Sequence, residues 1–168
     1  MRNNYVVRAQ KFIQQFASYL ENCEDQNDFA MAVLAFNKDH NRRVRFNYGS
    51  TRVVFITSDY VIKLTFGNYR DIKTFGGNEE EYKAYQSVKD TPYSYLFAET
   101  TKYQYNNWDW YIMPFISGVG SKRSDAPAYI DDPDACDFIT YHFFDLHCWN
   151  FGWKDNHIVL IDYAAWRG

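Results

Sequence analysis

Between Val44 and Phe66 the chain turns to a strand period, and this stretch limits the fold more than any other. Val44 and Phe46 alternate with Arg45 and Asn47, Tyr48-Gly49-Ser50 interrupts the run, and Val53-Val54-Phe55-Ile56 resumes it. Thr57-Ser58-Asp59 then breaks the chain before a third run, Tyr60 to Phe66. Runs joined by turns this short pair as antiparallel neighbours, because parallel pairing needs a crossover of a dozen or more residues. Two further strands are expected near 97–105 and 108–116, with Asn106-Asn107 as the turn between them. The expected class is α+β, built on a five-stranded antiparallel sheet.

The remaining segments read as helices and loops. Val6, Ala9, Phe12, Ile13, Phe16, Ala17 and Leu20 recur at i, i+3, i+4 spacing, which predicts an amphipathic helix. Asn27 or Asp28 is expected to cap a second helix carrying Phe29 to Phe36. Asn78 opens a third helix through Val88, ended by Pro92 and its neighbours, and Asp134 to Phe144 predicts a short fourth. Gly118 to Pro133 reads as a loop, and Lys154-Asp155-Asn156 as a turn into a last strand, His157 to Asp162.

Composition sets the outer bounds. The length, 168 residues, suits one domain, and a 20% aromatic content supplies enough ring surface to build its core. A net charge of −3 argues against a general nucleic-acid binder, whose affinity comes from cations. No apolar run reaches the ~20 residues of a membrane-spanning helix, and no signal-peptide core follows Met1. Cys23, Cys136 and Cys148 are odd in number and lack CxxC spacing, which predicts three reduced thiols in a cytoplasm.

The chemistry-bearing residues lie late in the chain. Asp145-Leu146-His147-Cys148-Trp149-Asn150 is followed by an apolar strand ending in Asp162. Earlier, Lys63 stands inside the apolar run Val61-Ile62-Lys63-Leu64, and Glu81 lies on the helix after it. A lysine in such a strand is costly unless it is paired or reaches a ligand; otherwise it faces solvent on an alternating strand.

In this order the chain resembles the protein-kinase-like superfamily in a very short form, over about residues 44–164. Asp145-x4-Asn150 looks like the catalytic loop, in the wording of aminoglycoside and other small-molecule kinases, and Asp162 like the metal-binding Asp. The resemblance implies ATP and Mg²⁺ as cofactors. Asp145 would accept the proton of the attacking hydroxyl, and Asn150 and Asp162 would supply hard oxygen ligands to the metal. Lys63 would hold the phosphates, with Glu81 as its partner; Glu80 is the rival partner, and Asn78-x-x-Glu81 the rival helix cap. Gly49 and Ser50 look like a reduced glycine-rich loop offering amides to phosphate, with an ordinary hairpin turn as the competing reading. Trp110 to Gly118 resembles the strand and hinge that bind adenine, with Met113 as gatekeeper and Pro114 and Ile116 facing the base. The resemblance divides the chain into a helical unit at 1–40, an N-lobe at 41–117 and a reduced C-lobe at 118–168.

The chain also departs from that family. The His-Arg pair is absent before Asp145, and Asp162-Tyr163-Ala164 lacks a glycine. Six residues follow Asp162, so an activation segment and a helical platform for protein substrates are not expected. The N-terminal helices are expected to stand in for those missing helices. A zinc reading of His142, Asp145, His147 and Cys148 ranks below the kinase reading, because it leaves Lys63, Glu81 and Asp162 unexplained.

Two functions follow. One is phosphotransfer to a protein, the chain itself included, or to a small molecule. The other is a kinase-like pseudoenzyme that inhibits or modulates a host protein through exposed rings among Trp108, Trp110, Trp149, Trp153 and Trp166. Neither involves nucleic acid or membrane. A compact, aromatic-rich domain of this kind suits a phage or bacterial effector in the host cytoplasm.

Overall fold

The structure is a computed structural model and describes residues 4–49, 52–65, 77–118, 126–143 and 146–163. The fold is α+β and divides into two compact units. One comprises Met1–Lys73 and Thr101–Phe115, the other Thr74–Thr100 and Ile116–Gly168.

In the first unit, α1 (Asn4–Phe16) runs into a 3-10 turn (Ala17–Leu20), followed by α2 (Gln26–His40). Strands β1 (Arg45–Tyr48), β2 (Arg52–Ile56), β3 (Tyr60–Thr65), β4 (Thr101–Tyr105) and β5 (Trp108–Pro114) form the sheet. Its order is β1-β2-β3-β5-β4, every pair antiparallel, as the meander required. Asn106 and Asn107 take φ of 55° and 61°, the left-handed pair that a two-residue hairpin of primed type needs.

Side chains alternate across this sheet, and the alternation decides what each face does. Val53 and Phe55 of β2, Ile62 and Leu64 of β3, and Trp110 and Ile112 of β5 share one core with α1 and α2. Phe16 sits at its centre, with ring centroids 5.0 Å from Phe12 and Phe36 and 4.8 Å from Phe55. The N-terminal helices therefore pack on the sheet, within its own unit. An amphipathic pattern announces an apolar face without saying what covers it. The intervening residues of the same strands, Val54, Val61, Lys63, Tyr111 and Met113, point to the opposite face.

Asp25 caps α2, in place of the expected Asn27 or Asp28. Its carboxylate accepts from the Asn27 and Asp28 amides at 2.8 and 3.0 Å, while the Asp28 carboxylate accepts from the Asp25 amide at 3.3 Å.

The second unit holds α3 (Asn78–Val88), α4 (Pro133–His142) capped by Asp132, and a hairpin of β6 (Phe151–Lys154) and β7 (His157–Leu160). The sequence reading missed β6. Asp155 and Asn156, with φ of 48° and 66°, make its turn. Phe97, expected at the start of β4, instead forms a parallel bridge to Leu160, and the Ala98 amide donates to the Leu160 carbonyl at 2.9 Å. Phe97, Phe143 and Tyr163 pack as a ring cluster, with Phe97 centroids 5.5 and 5.4 Å from the other two. A five-stranded antiparallel sheet with a short helical complement is the architecture that the kinase resemblance implied.

Candidate active site

The expected site residues fall in both units, and each group has its own environment. In the first unit Lys63 occupies the middle of β3, opposite Val54 on one side and Tyr111 on the other. It is 5% exposed, so the solvent-facing alternative does not hold. Met113 and Pro114 end β5 opposite Val61 and Tyr60, and Met113 is buried on the same sheet face as Lys63. Gly49 closes the β1–β2 turn, its amide donating to the Arg52 carbonyl at 2.9 Å. Ser50 lies outside the described residues.

In the second unit a glutamate, an asparagine and an aspartate meet through backbone groups. Glu81 is fully buried, and its Oε1 accepts the Tyr163 amide at 3.1 Å. Gly77, not Asn78, is the helix N-cap. Glu80 is exposed, which leaves Glu81 as the inward carboxylate. Asn150 ends a single 3-10 turn, Cys148–Asn150, and is 7% exposed. Its carbonyl accepts the Ile161 amide at 2.8 Å and the Asp162 amide at 3.3 Å. The backbone thus fixes the end of the Asp145-x4-Asn150 loop to the residue pair that presents Asp162, and Glu81 holds the next amide along. Asp145 itself lies outside the described residues.

Three contacts of this unit escaped the sequence reading. The Tyr163 hydroxyl bonds to the Ala98 carbonyl and to the Thr100 hydroxyl, each at 2.5 Å, which locks the chain immediately after Asp162. Gly152 is a close-approach position: a Cβ there would stand 2.5 Å from Ile116 Cγ2 and 3.1 Å from Ile161 Cγ2. The Trp153 amide donates to the Ser117 carbonyl at 2.9 Å, so β6 fastens the segment carrying Ile116. The signals were a lone glycine and a lone tyrosine, which have too many other uses to be read from sequence.

Removing the Glu81 acceptor tests this arrangement. Glu81→Leu leaves the buried Tyr163 amide without its carboxylate partner, and the expected loss is about 1–3 kcal/mol. Glu81→Gln keeps an acceptor oxygen in the same place and is expected to recover most of that loss in chemical denaturation. Equal losses for the two variants would show that the hydrogen bond does not hold the turn.

Asn150 and Asp162 fit a magnesium ion by chemistry, since amide and carboxylate oxygens are its preferred protein donors and phosphates supply others. Among the described residues no group of three or more His, Cys, Asp or Glu gathers as a metal site, and His147 is exposed while Cys148 is buried.

No family model and no curated protein matches this sequence. Among solved structures the chain is similar to WbdD, at a TM-score of 0.46 and 14% identity, over 72% of this chain and 32% of that one. A second WbdD structure, described as a bifunctional kinase-methyltransferase, gives 0.41 and 17% over 68% and 30%. A co-crystal of WbdD with the kinase inhibitor LY294002 gives 0.40 and 17% over 71% and 32%. This chain therefore spans about a third of WbdD's length, and likeness at these scores assigns it no activity. No helix among the described residues is long and apolar enough to cross a membrane.

Proposed function

We propose that this chain is an ATP- and Mg²⁺-dependent phosphotransferase of reduced kinase-like form, acting on a protein, itself included, or on a small molecule. The observation that carries this reading is the hydrogen-bonded gathering of Glu81, Asn150 and Asp162. A buried carboxylate that accepts the Tyr163 amide, beside a buried asparagine whose backbone carbonyl holds the Ile161 and Asp162 amides, is expensive to assemble for structure alone. Lys63, buried in mid-strand, supplies the cation that the reading needs.

Each residue then has a role. Lys63 grips the phosphates and Glu81 orients it. Gly49 and Ser50 offer backbone amides to phosphate oxygens. Met113, Pro114 and Ile116 receive the base. Asn150 and Asp162 hold the metal, which when bound screens the phosphate charge. Asp145 takes the proton from the acceptor hydroxyl. Catalysis of this kind is positioning and charge neutralisation, which a small chain can supply.

Calorimetric titration with ATP, with and without Mg²⁺, tests the site on the intact chain and on Asp162→Ala. Binding that requires Mg²⁺ and disappears in the variant is the expected result. No binding by the wild type at millimolar ATP would sink the enzyme reading.

A second reading, a kinase-like protein that binds and modulates a host protein, draws on the exposed rings of the second unit. Trp149, Tyr141 and Trp153 are 64%, 73% and 41% exposed. Trp110 is instead core and Trp108 packs half-buried against that core, so they leave this set, while Trp166 lies outside the described residues. Loss of partner capture in Trp149→Ala, with ATP binding absent throughout, would favour it.

A further inference from the structure

The β2–β3 turn, one side of α1 and the link from α2 into β1 line an open cavity of about 430 Å³ within the first unit. Arg8 and Lys11 of α1 line it, and so do Arg42 and Arg43 of the link. Its one acid is Asp59, and Arg8 takes it: Arg8 Nε donates to Asp59 Oδ2 at 2.7 Å, and Nη2 of the same guanidinium donates to that oxygen as well. Lys11, Arg42 and Arg43 make no ion pair among the described residues. A chain of net charge −3 thus turns three uncompensated cations into one concavity. Like charges gathered in this way repel unless an anion joins them.

The link is held in place. Asn41 takes the left-handed turn at the end of α2, with φ of 48°. The Asn37 carboxamide then binds Val44 twice, accepting from its amide and donating to its carbonyl, each at 2.9 Å. Arg42 and Arg43 are therefore presented from a fixed loop. The floor is apolar and aromatic, with Phe12, Val44 and Tyr60 all buried. Burial pushes the Tyr60 phenol up to about 12 and the Asp59 charge adds to this, while the Arg42 and Arg8 guanidiniums pull it back, so their field reaches the floor.

We infer that this cavity binds a small phosphorylated molecule bearing two phosphate groups. Guanidinium forks match phosphate oxygens two at a time, and three free cations suit a dianion or more. The volume falls within the range of small-molecule sites, and the ring-lined floor can carry an organic body. None of these residues belongs to the proposed nucleotide site, so either assignment can fail without the other.

The test is calorimetry on the full chain without Mg²⁺, using inorganic pyrophosphate and fructose 1,6-bisphosphate as probes. Saturable binding that weakens with salt is expected, with a loss of about tenfold or more in Arg42→Gln/Arg43→Gln and a smaller loss in Lys11→Gln. These side chains are exposed, so the variants should keep the wild-type melting temperature. Asp162→Ala should bind as the wild type does. Tighter binding of the bisphosphate identifies an organic body, and tighter binding of pyrophosphate a bare polyphosphate. Three outcomes would overturn the assignment: no binding by the wild type, equal binding by the Arg42/Arg43 variant, or an equal loss in Lys89→Gln/Lys154→Gln, which changes two lysines of the other unit.

Discussion

Replacing Phe16 by alanine is expected to destabilise the protein by about 3–5 kcal/mol, a large share of the ~5–15 kcal/mol that holds a domain of this size. Phe16 has no exposed surface, and its ring meets Phe36 and Phe55 edge-on at interplanar angles of 74° and 80°. It therefore joins α1 to both α2 and the sheet. Neither helix can close over the vacancy without moving the other, so the cavity should persist and the cost should lie high in the range. The melting temperature should fall by roughly 10 °C or more. Leu34→Ala is the control, since Leu34 on α2 is 62% exposed and its loss should change stability by less than about 0.5 kcal/mol. A Phe16→Ala loss no larger than that of Leu34→Ala would mean that the helices do not dock on the sheet. The consequence reaches the candidate site, because Phe55 and Ile62, under the helices, are cross-strand partners next to the Val54–Lys63 pair. Loosening one face of β2 and β3 frees the strand that presents Lys63 on the other.

What the sequence disclosed follows from how local each signal is. The meander from Val44 to Thr65 was legible because period-two alternation and turn residues are local. Asn106-Asn107 was legible because few residues other than glycine tolerate two successive positive φ values. The hairpin strand β6 was not, since Phe151-Gly152-Trp153-Lys154 is four residues long and contains a glycine, which disfavours strands in isolation. The register of Phe97 was hidden for a tertiary reason. Residues 97–105 read as one run, but the Tyr163 hydroxyl bond to the Ala98 carbonyl and the Leu160 bridge draw its first part into the other unit. The Asp25 cap was obscured by crowding, because Asp25, Asn27 and Asp28 are all good caps and only geometry selects one. At the candidate site, residue types and their order were readable. Burial was not: Glu80 and Glu81 are adjacent in sequence, yet one is exposed and the other fully buried.

Asp145→Asn is expected to lower phosphoryl transfer by about 10²–10⁴-fold while leaving Mg²⁺-dependent ATP binding unchanged. The substitution keeps the size and one acceptor oxygen of the side chain but removes the carboxylate proposed to take the proton from the attacking hydroxyl. The loop ends that flank it have independent anchors. Phe143 packs on Phe97 and Tyr163, and the Asn150 carbonyl holds the Ile161 and Asp162 amides. A change at residue 145 should therefore leave Asn150 and Asp162 where they are, which is why binding and transfer separate. Release of labelled phosphate from ATP, and label incorporated into the chain itself, measure the transfer; calorimetry measures the binding. Parallel loss of both would place Asp145 among the ligand-holding groups instead of the proton acceptors. ATP binding with no transfer by either wild type or variant would remove the enzyme reading and leave a nucleotide-binding pseudoenzyme. In that case the conformation imposed by ATP, and the exposed Trp149 and Trp153, would be the features to pursue.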